Sequence, residues 1–218
     1  EGNLFTVESD GGSFEGRSVI LATGLKHRKL GAEGEERFLG RGVSFCAVCD
    51  GAFYSGKTVA VIGGGNSALQ EALLLSDLAE KVYLVQNLDY LTGEDKLQEQ
   101  LKAKENVEII LGNVVDSLIG DTELSGINIK NAGGEIRELT IDGMFVAIGL
   151  VPQNEAFSDL MDLDSYGYAD SDESCTTKTE GVFVAGDCRK KSVRQLTTAC
   201  ADGSVAALAA CKYLDSLK

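Results

Sequence analysis

Cys46 and Cys49 stand two residues apart with Asp50 directly behind them, a spacing that suits a pair cycling between dithiol and disulfide. The thiolate is the reactive form of cysteine, and CxxC spacing commonly lowers one thiol's pKa. A neighbouring carboxyl group can pass a proton to or from the sulfur. About a dozen residues on, Thr58-Val59-Ala60-Val61-Ile62 runs into Gly63-Gly64-Gly65 and then Asn66-Ser67-Ala68. The apolar run suits a strand covered on both faces, and the glycines let a ligand approach the backbone. The helix start that follows offers free N–H groups to a pyrophosphate. A hydride carrier beside a dithiol points to disulfide reduction.

Those residues need a βαβ frame, and the surrounding pattern supplies one. Ser67 to Leu78 has helical composition, opened by Ser67-x-x-Gln70, a capping-box pattern, and Lys81–Val85 reads as the next strand. Glu94 to Lys104 carries Leu97 and Leu101 on one helical face, and Val107 to Leu111 reads as a third strand. Residues 126–130 and 134–139 alternate around Asn131-Ala132-Gly133, the mark of a meander hairpin. Met144–Gly149 is another buried strand, followed by the only proline, Pro152, where a domain boundary is expected. Upstream, Leu4–Val7 and Glu15–Leu21 flank Asp10-Gly11-Gly12, a second hairpin signal, and lead to Ala22-Thr23-Gly24. Residues 25–45 read as a polar connection and 153–180 as irregular. Gly181–Asp187 is a strand ending in Gly-Asp, and Gln195–Leu214 an apolar helix predicted to be buried nearly all round.

Composition removes several classes. The chain of 218 residues is 44% hydrophobic and 25% charged, ordinary for a globular protein with a sizeable core. Its net charge of −14 argues against nucleic acid, which demands clustered Lys and Arg. No run of about 18 apolar residues is present, so no membrane span is expected. Residues 1–25 lack the basic start and apolar block of a secretory signal, and a cytoplasmic location is expected. Of six cysteines only Cys46 and Cys49 are closely paired, and His27 is the one histidine. A zinc site would want a second CxxC or a histidine pair, so no metal is expected. His27 and the acidic clusters Glu33–Glu36 and Asp170–Glu173 read as solvated. Cys200 and Cys211 read as small core residues, and Cys175 and Cys188 as spectators.

Taken together, Ala22-Thr23-Gly24, Gly34-Glu35-Glu36, Cys46–Gly51, Val61–Ala68, Phe145–Gly149, Ala185-Gly186-Asp187 and Arg194-Gln195 resemble the small, bacterial-type thioredoxin reductases over nearly the whole chain. The resemblance implies an α/β fold of two Rossmann-like lobes, each with a central parallel sheet, plus β-meander hairpins. Residues 1–33 and 152–218 would belong to an FAD-binding lobe, and 34–151 to an NAD(P)-binding lobe carrying the CxxC. Electrons would pass from NADPH or NADH through FAD to the Cys46–Cys49 disulfide and then to thioredoxin or a thioredoxin-like protein. By analogy Cys49 lies nearest the flavin, Cys46 attacks the partner disulfide, and Asp50 donates a proton to the thiolate. Gly63, Gly65, Asn66, Ser67, Ala68, Gln86 and Asn87 would receive the nicotinamide dinucleotide. Thr23, Gly24, Asp187, Arg194 and Gln195 would face the flavin, with a surface ion bridge between Asp187 and Arg194 as the alternative to their flavin role. A homodimer is implied as well. An alkyl hydroperoxide reductase flavoprotein subunit, a ferredoxin-dependent disulfide reductase and an idle nucleotide-binding module are the rival readings.

Two departures stand out. The family's FAD lobe opens with its own glycine-rich turn, and none precedes residue 24, so a fragment of a longer reductase with weak or lost FAD binding is expected. NADPH-specific members also carry arginines after the second βαβ strand, where this chain reads Gln86-Asn87-Leu88-Asp89-Tyr90. A 2′-phosphate without a cation loses its charge-assisted bonds, so weak discrimination between NADPH and NADH is expected.

Overall fold

The computed structural model describes residues 4–218 as two compact units, 4–26 with 150–218 and 27–149. Glu1–Asn3, which open the expected first lobe segment, lie outside the described residues. The chain passes between units at Lys26–His27 and Gly149–Leu150, ahead of the boundaries read at 33/34 and 151/152. The reason is local. Arg28 N–H donates to Gly149 O at 3.0 Å, tying the two ends of the second unit together, and Leu30 and Ala32 pack on that unit's core.

The first unit opens with β1 (Phe5–Ser9) and β2 (Gly12–Gly16), antiparallel with Val7 opposite Phe14. The strand read as continuous to Leu21 breaks at Arg17–Ser18, because β3 (Val19–Leu21) leaves the hairpin to join another sheet, and β4 (Leu25–His27) follows.

The second unit begins with α1 (Glu35–Phe38), within residues read as a polar connection. Glu35 is buried, not solvated: its carboxylate accepts the N–H groups of Leu30 (3.0 Å) and Gly31 (2.9 Å). Then come β5 (Val43–Ser44), α2 (Ala47–Asp50), β6 (Thr58–Ile62), α3 (Asn66–Ser76), β7 (Lys81–Val85), α4 (Asp95–Lys102) and β8 (Val107–Ile110). An antiparallel meander follows, β9 (Asn113–Gly120), β10 (Leu124–Asn131) and β11 (Ile136–Thr140), before β12 (Gly143–Val146) returns to the main sheet. That sheet has the order β5-β12-β6-β7-β8, parallel throughout. Val59, Val61 and Phe145 meet Ala68, Leu69, Ala72 and Leu75 of α3 on one side. Ala60 and Met144 meet Ile127, Ile129 and Leu139 of the meander on the other. Each fully buried Val, Leu, Ile, Met or Phe side chain among them contributes roughly 1.5–3 kcal/mol. Helix α3 starts at Asn66 with Gly65 as N-cap and no side-chain cap. The anticipated Ser67–Gln70 box does not form, since Ser67 already lies inside the first turn.

The first unit resumes with β13 (Leu150–Pro152), paired with β4, and β14 (Val182–Val184), parallel to β3 with Val182 beside Val19. Helix α5 (Leu196–Ser216) packs on β14 and β3. It is not buried all round. Asp202, Ala206 and Ala210 form the buried stripe, whereas Leu208 is 67% exposed. Cys200 and Cys211 are exposed too, contrary to their reading as core residues, because two strands cover only one side of the helix.

Candidate functional site

The dithiol sits at the start of α2, where Cys46 is the N-cap with an extended backbone. Cys46 and Cys49 are joined as a disulfide with their Cα atoms 5.3 Å apart, and Cys46 Sγ accepts the Cys49 N–H at 3.2 Å. Asp50 is held by a residue the sequence reading did not single out. Ser44, buried on β5, donates its hydroxyl to Asp50 Oδ2 at 2.6 Å and accepts the Cys46 N–H at 3.1 Å. The carboxylate is thereby linked to the cysteine backbone through one rigid strand. Tyr54 stands behind them, its ring edge-on to Phe145 at 5.3 Å. Burial, and then the Asp50 charge, push its phenol above the usual tyrosine range. His27 is exposed but stacks one face on Phe45 at 4.8 Å, directly before Cys46. Around the exposed Cys49, Val48 is 85% and Phe53 73% exposed.

The glycine turn lies in the same unit. Gly63 adopts φ +132°, and a Cβ there would collide with the Ala147 carbonyl. At Gly64 a Cβ would come within 2.5 Å of the Gln86 side chain. The first helical N–H with a partner inside α3 is that of Leu69, donating to Gly65 O at 3.0 Å. The N–H groups of Asn66, Ser67 and Ala68 therefore lack intrahelical acceptors and face the positive end of the helix dipole. A cavity of about 640 Å³ opens over this turn, walled by Gly63–Ser67, Gln86–Leu88, Asn113–Val115 and Ala147–Gly149. Its size and uncapped donors fit the pyrophosphate and nucleoside of a dinucleotide.

Individual side chains are placed differently from one another. Ala68 is fully buried and serves helix packing. Asn66 clamps the rim: its Oδ1 accepts Glu94 N–H at 2.7 Å and its Nδ2 donates to Glu94 Oε1 at 3.0 Å. Gln86 is buried beneath Gly64 with its Nε2 directed to Tyr90 O at 3.4 Å, while Asn87 is exposed on the wall. Arg28 and Lys29 line this cavity too, so the absence of a cation after β7 in sequence is not an absence of cations in the site. One helical turn beyond Ser67, Glu71 has a buried carboxylate oxygen without a hydrogen-bond partner, and burial pushes its pKa up to about 7.

In the other unit Asp187 occupies a turn of 3₁₀ helix after β14, and its buried Oδ1 accepts no hydrogen bond, the Lys191 Nζ standing 3.9 Å away. An unfilled acceptor of this kind fits a hydroxyl donor such as those of the flavin ribityl chain. Arg194 does not pair with the Asp187 carboxylate. Its Nε donates to the Asp187 carbonyl at 3.3 Å, and its guanidinium lies 4.0 Å over the Tyr168 ring. Gln195 caps α5, its N–H donating to Thr198 Oγ1 at 3.1 Å. Thr23 Oγ1 donates to Asn154 Oδ1 at 3.0 Å, and the buried Asn154 in turn donates to Gly167 O and Cys188 O, beside a Gly24 with φ +63°.

Beneath Asp187 lies a network that sequence reasoning missed. Asp202 accepts from Arg189 Nε (2.8 Å), Lys191 Nζ (2.8 Å) and Gly186 N–H (3.0 Å). Burial alone would raise the Asp202 carboxyl, but these donors, Arg189 foremost, hold it down at about 2. The available signal was an acid on the buried stripe of an Ala-rich helix, which demands a cation partner.

A parallel-sheet unit with a glycine turn and a nearby CxxC disulfide defines a nucleotide-linked disulfide oxidoreductase. Residues 2–203 match the pyridine nucleotide-disulphide oxidoreductase family, and the chain belongs to it. It is 42% identical over 215 residues to thioredoxin reductase of Listeria innocua, covering 98% of this chain and 67% of that protein. Among solved structures, Lactococcus lactis thioredoxin reductase superposes with a TM-score of 0.85 at 37% identity, covering 99% of this chain and 72% of the other. That of T. acidophilum gives 0.80 at 32% identity, covering 98% and 70%. The chain thus spans about two thirds of the length of these relatives.

Proposed function

We propose that this chain is the dithiol-bearing and nucleotide-binding part of a thioredoxin-disulfide reductase, with 27–149 as the NAD(P)-binding lobe and the remainder contributing to the FAD-binding lobe. The observation that carries this is the Cys46–Cys49 disulfide, fixed beside the Ser44–Asp50 pair in the unit that also holds the glycine turn. The N–H groups of Asn66 and Ser67 bind the dinucleotide pyrophosphate, and Asp187, with Thr23 and Gly24 of the same unit, contributes to flavin binding. Bound FAD supplies the two-electron link between nicotinamide and disulfide.

Reduction breaks the Cys46–Cys49 bond and adds two electrons and two protons, leaving both sulfurs as thiols. Asp50, held by Ser44, carries a proton to or from the sulfur. The Cys46 thiolate attacks one sulfur of the thioredoxin disulfide, forming a mixed disulfide and expelling the other sulfur as a thiolate. Cys49 then attacks Cys46, restoring the internal disulfide and releasing reduced thioredoxin. Exposed Val48 and Phe53 offer the apolar surface such a protein partner needs. No helix of the described residues is long and apolar enough to cross a membrane. A cytoplasmic homodimer is the working form.

The test is NADPH-dependent reduction of a thioredoxin disulfide by the chain supplied with FAD. Cys46→Ser should lose turnover by at least about a hundredfold while keeping nucleotide binding; a parent chain that binds nucleotide but shows no turnover would favour an idle nucleotide-binding module. FAD retention by this 218-residue chain is proposed to be weak, and purification with stoichiometric yellow flavin would contradict that.

A further inference from the structure

We propose that Arg28, with Lys29 beside it, grips the 2′-phosphate of NADPH, so that donor selection comes from the segment that enters the nucleotide-binding unit and not from the end of β7. This rests on the dinucleotide reading of the cavity given above.

The charge of the cavity is the starting point. In a chain of net charge −14, its charged lining residues are Arg28 and Lys29, both cations, with no carboxylate among the lining residues. Such a bias favours an anionic group beyond the pyrophosphate, which the uncapped N–H groups of α3 already serve.

The fold also brings these cations to the right end of the cavity. With the pyrophosphate on the turn after β6, the adenosine ribose falls near the carboxyl end of β7, where an arginine accommodates a 2′-phosphate in nucleotide-binding folds of this type. That end is Gln86–Leu88, and Gln86 O accepts the N–H of Asn113, the first residue of β9, at 3.1 Å. The segment after Arg28 aligns with β9: Glu33 and Ser117 form a parallel bridge, and Leu118 N–H donates to Glu33 O at 3.2 Å. Arg28 and Lys29 therefore share one cavity with Gln86, Asn87 and Asn113 although they are far from them in sequence.

The segment is anchored and Arg28 is left available. Its backbone N–H is bound to Gly149 O, and Glu35 holds the N–H groups of Leu30 and Gly31, two and three residues on. Lys29 is shared with Glu36 at 2.6 Å, whereas Arg28 makes no ion pair among the described residues. An arginine also presents a planar fork that matches phosphate oxygens. Gln86 is a poor substitute, being buried and directed to Tyr90.

Calorimetric titration of the full chain with NADP⁺ and with NAD⁺ tests this. NADP⁺ should bind about tenfold tighter than NAD⁺, and Arg28→Gln should weaken NADP⁺ about tenfold while leaving NAD⁺ within about twofold. Arg28→Lys should recover part of the loss, and Lys29→Gln should cost less, about threefold, because Glu36 already shares that charge. Arg28 is exposed, so the variants should keep the parent's circular dichroism and melting midpoint. Equal affinity for the two nucleotides, or an Arg28→Gln variant that weakens both alike or neither, overturns the proposal while leaving the reductase reading intact. A chain that binds neither nucleotide overturns that reading and the proposal with it.

Discussion

The cavity over the glycine turn and the Asp187–Asp202 region solve the problem of holding polar groups by opposite means. The cavity is built from backbone: three consecutive glycines, uncapped helix N–H groups and cations kept to the lining. The Asp187 region is built from side-chain charge, with Arg189, Lys191 and Asp202 drawn out of water and satisfied by one another. A backbone site stays open because nothing inside it needs compensating. A buried charge network is stable only when complete, since removing one member strands the others in a medium that solvates them poorly.

The largest effect should come from breaking the network. Asp202→Ala leaves the Arg189 guanidinium buried without its carboxylate and should cost about 3 kcal/mol in chemical denaturation. The nucleotide cavity belongs to the other unit, so NADP⁺ affinity should hold; a parallel loss of binding would erase the contrast. The mirror experiment is Gly64→Val, which drives a branched side chain into Gln86 and should weaken NADP⁺ by about tenfold or more. Its far-UV spectrum should stay that of the parent.

Titration sharpens the contrast further. Asp202 has a carboxyl held at about 2, below its ordinary 3.8, so its stabilisation is fully present above that ordinary value. It is lost progressively as pH falls from about 3.8 to about 2. Denaturation midpoints assigned to this unit should therefore show no loss from Asp202 between pH 7 and pH 4. Glu71 behaves in the reverse sense. Its folded pKa, raised to about 7 from 4.5, means the folded chain holds a proton that the unfolded chain releases. Its contribution falls as pH climbs from about 4.5 to about 7 and then levels off. Glu71→Gln should remove that slope and raise the melting midpoint at pH 8 by roughly 2 °C, a figure reduced for solvent screening, with little change at pH 5. A variant that melts lower at pH 8 would show that the carboxylate has a partner in solution.

What could be read beforehand follows the same division. Gly63-Gly64-Gly65 after a continuous apolar run, and the CxxC before it, are contiguous in sequence, so period and spacing were enough to find them. The β10–β11 hairpin was legible for the same reason. Strand β9 was not, because Asp116 and Ser117 interrupt its apolar pattern while its Leu118 still packs into the core. Glu35 read as solvent-facing because an acid next to acids usually is; here two backbone N–H groups hold it in the interior. Ser44, Asn154, Arg189 and Lys191 act on partners that only folding brings near, and single residues of common type carry no spacing signal. Arg28 illustrates the point best, since the motif position it replaces looks empty when the chain is scanned in order.

The outward-facing sulfurs of Cys200 and Cys211 have a practical use. They lie eleven positions apart on a continuous helix, roughly 16 Å along its axis, while Cys175 and Cys188 are shut away and Cys46 and Cys49 are bonded to each other. A maleimide dye or spin label added under oxidising conditions should therefore attach to α5 alone. Two reporters at a known spacing could then be installed on one unit without engineering, and the redox centre would stay unlabelled.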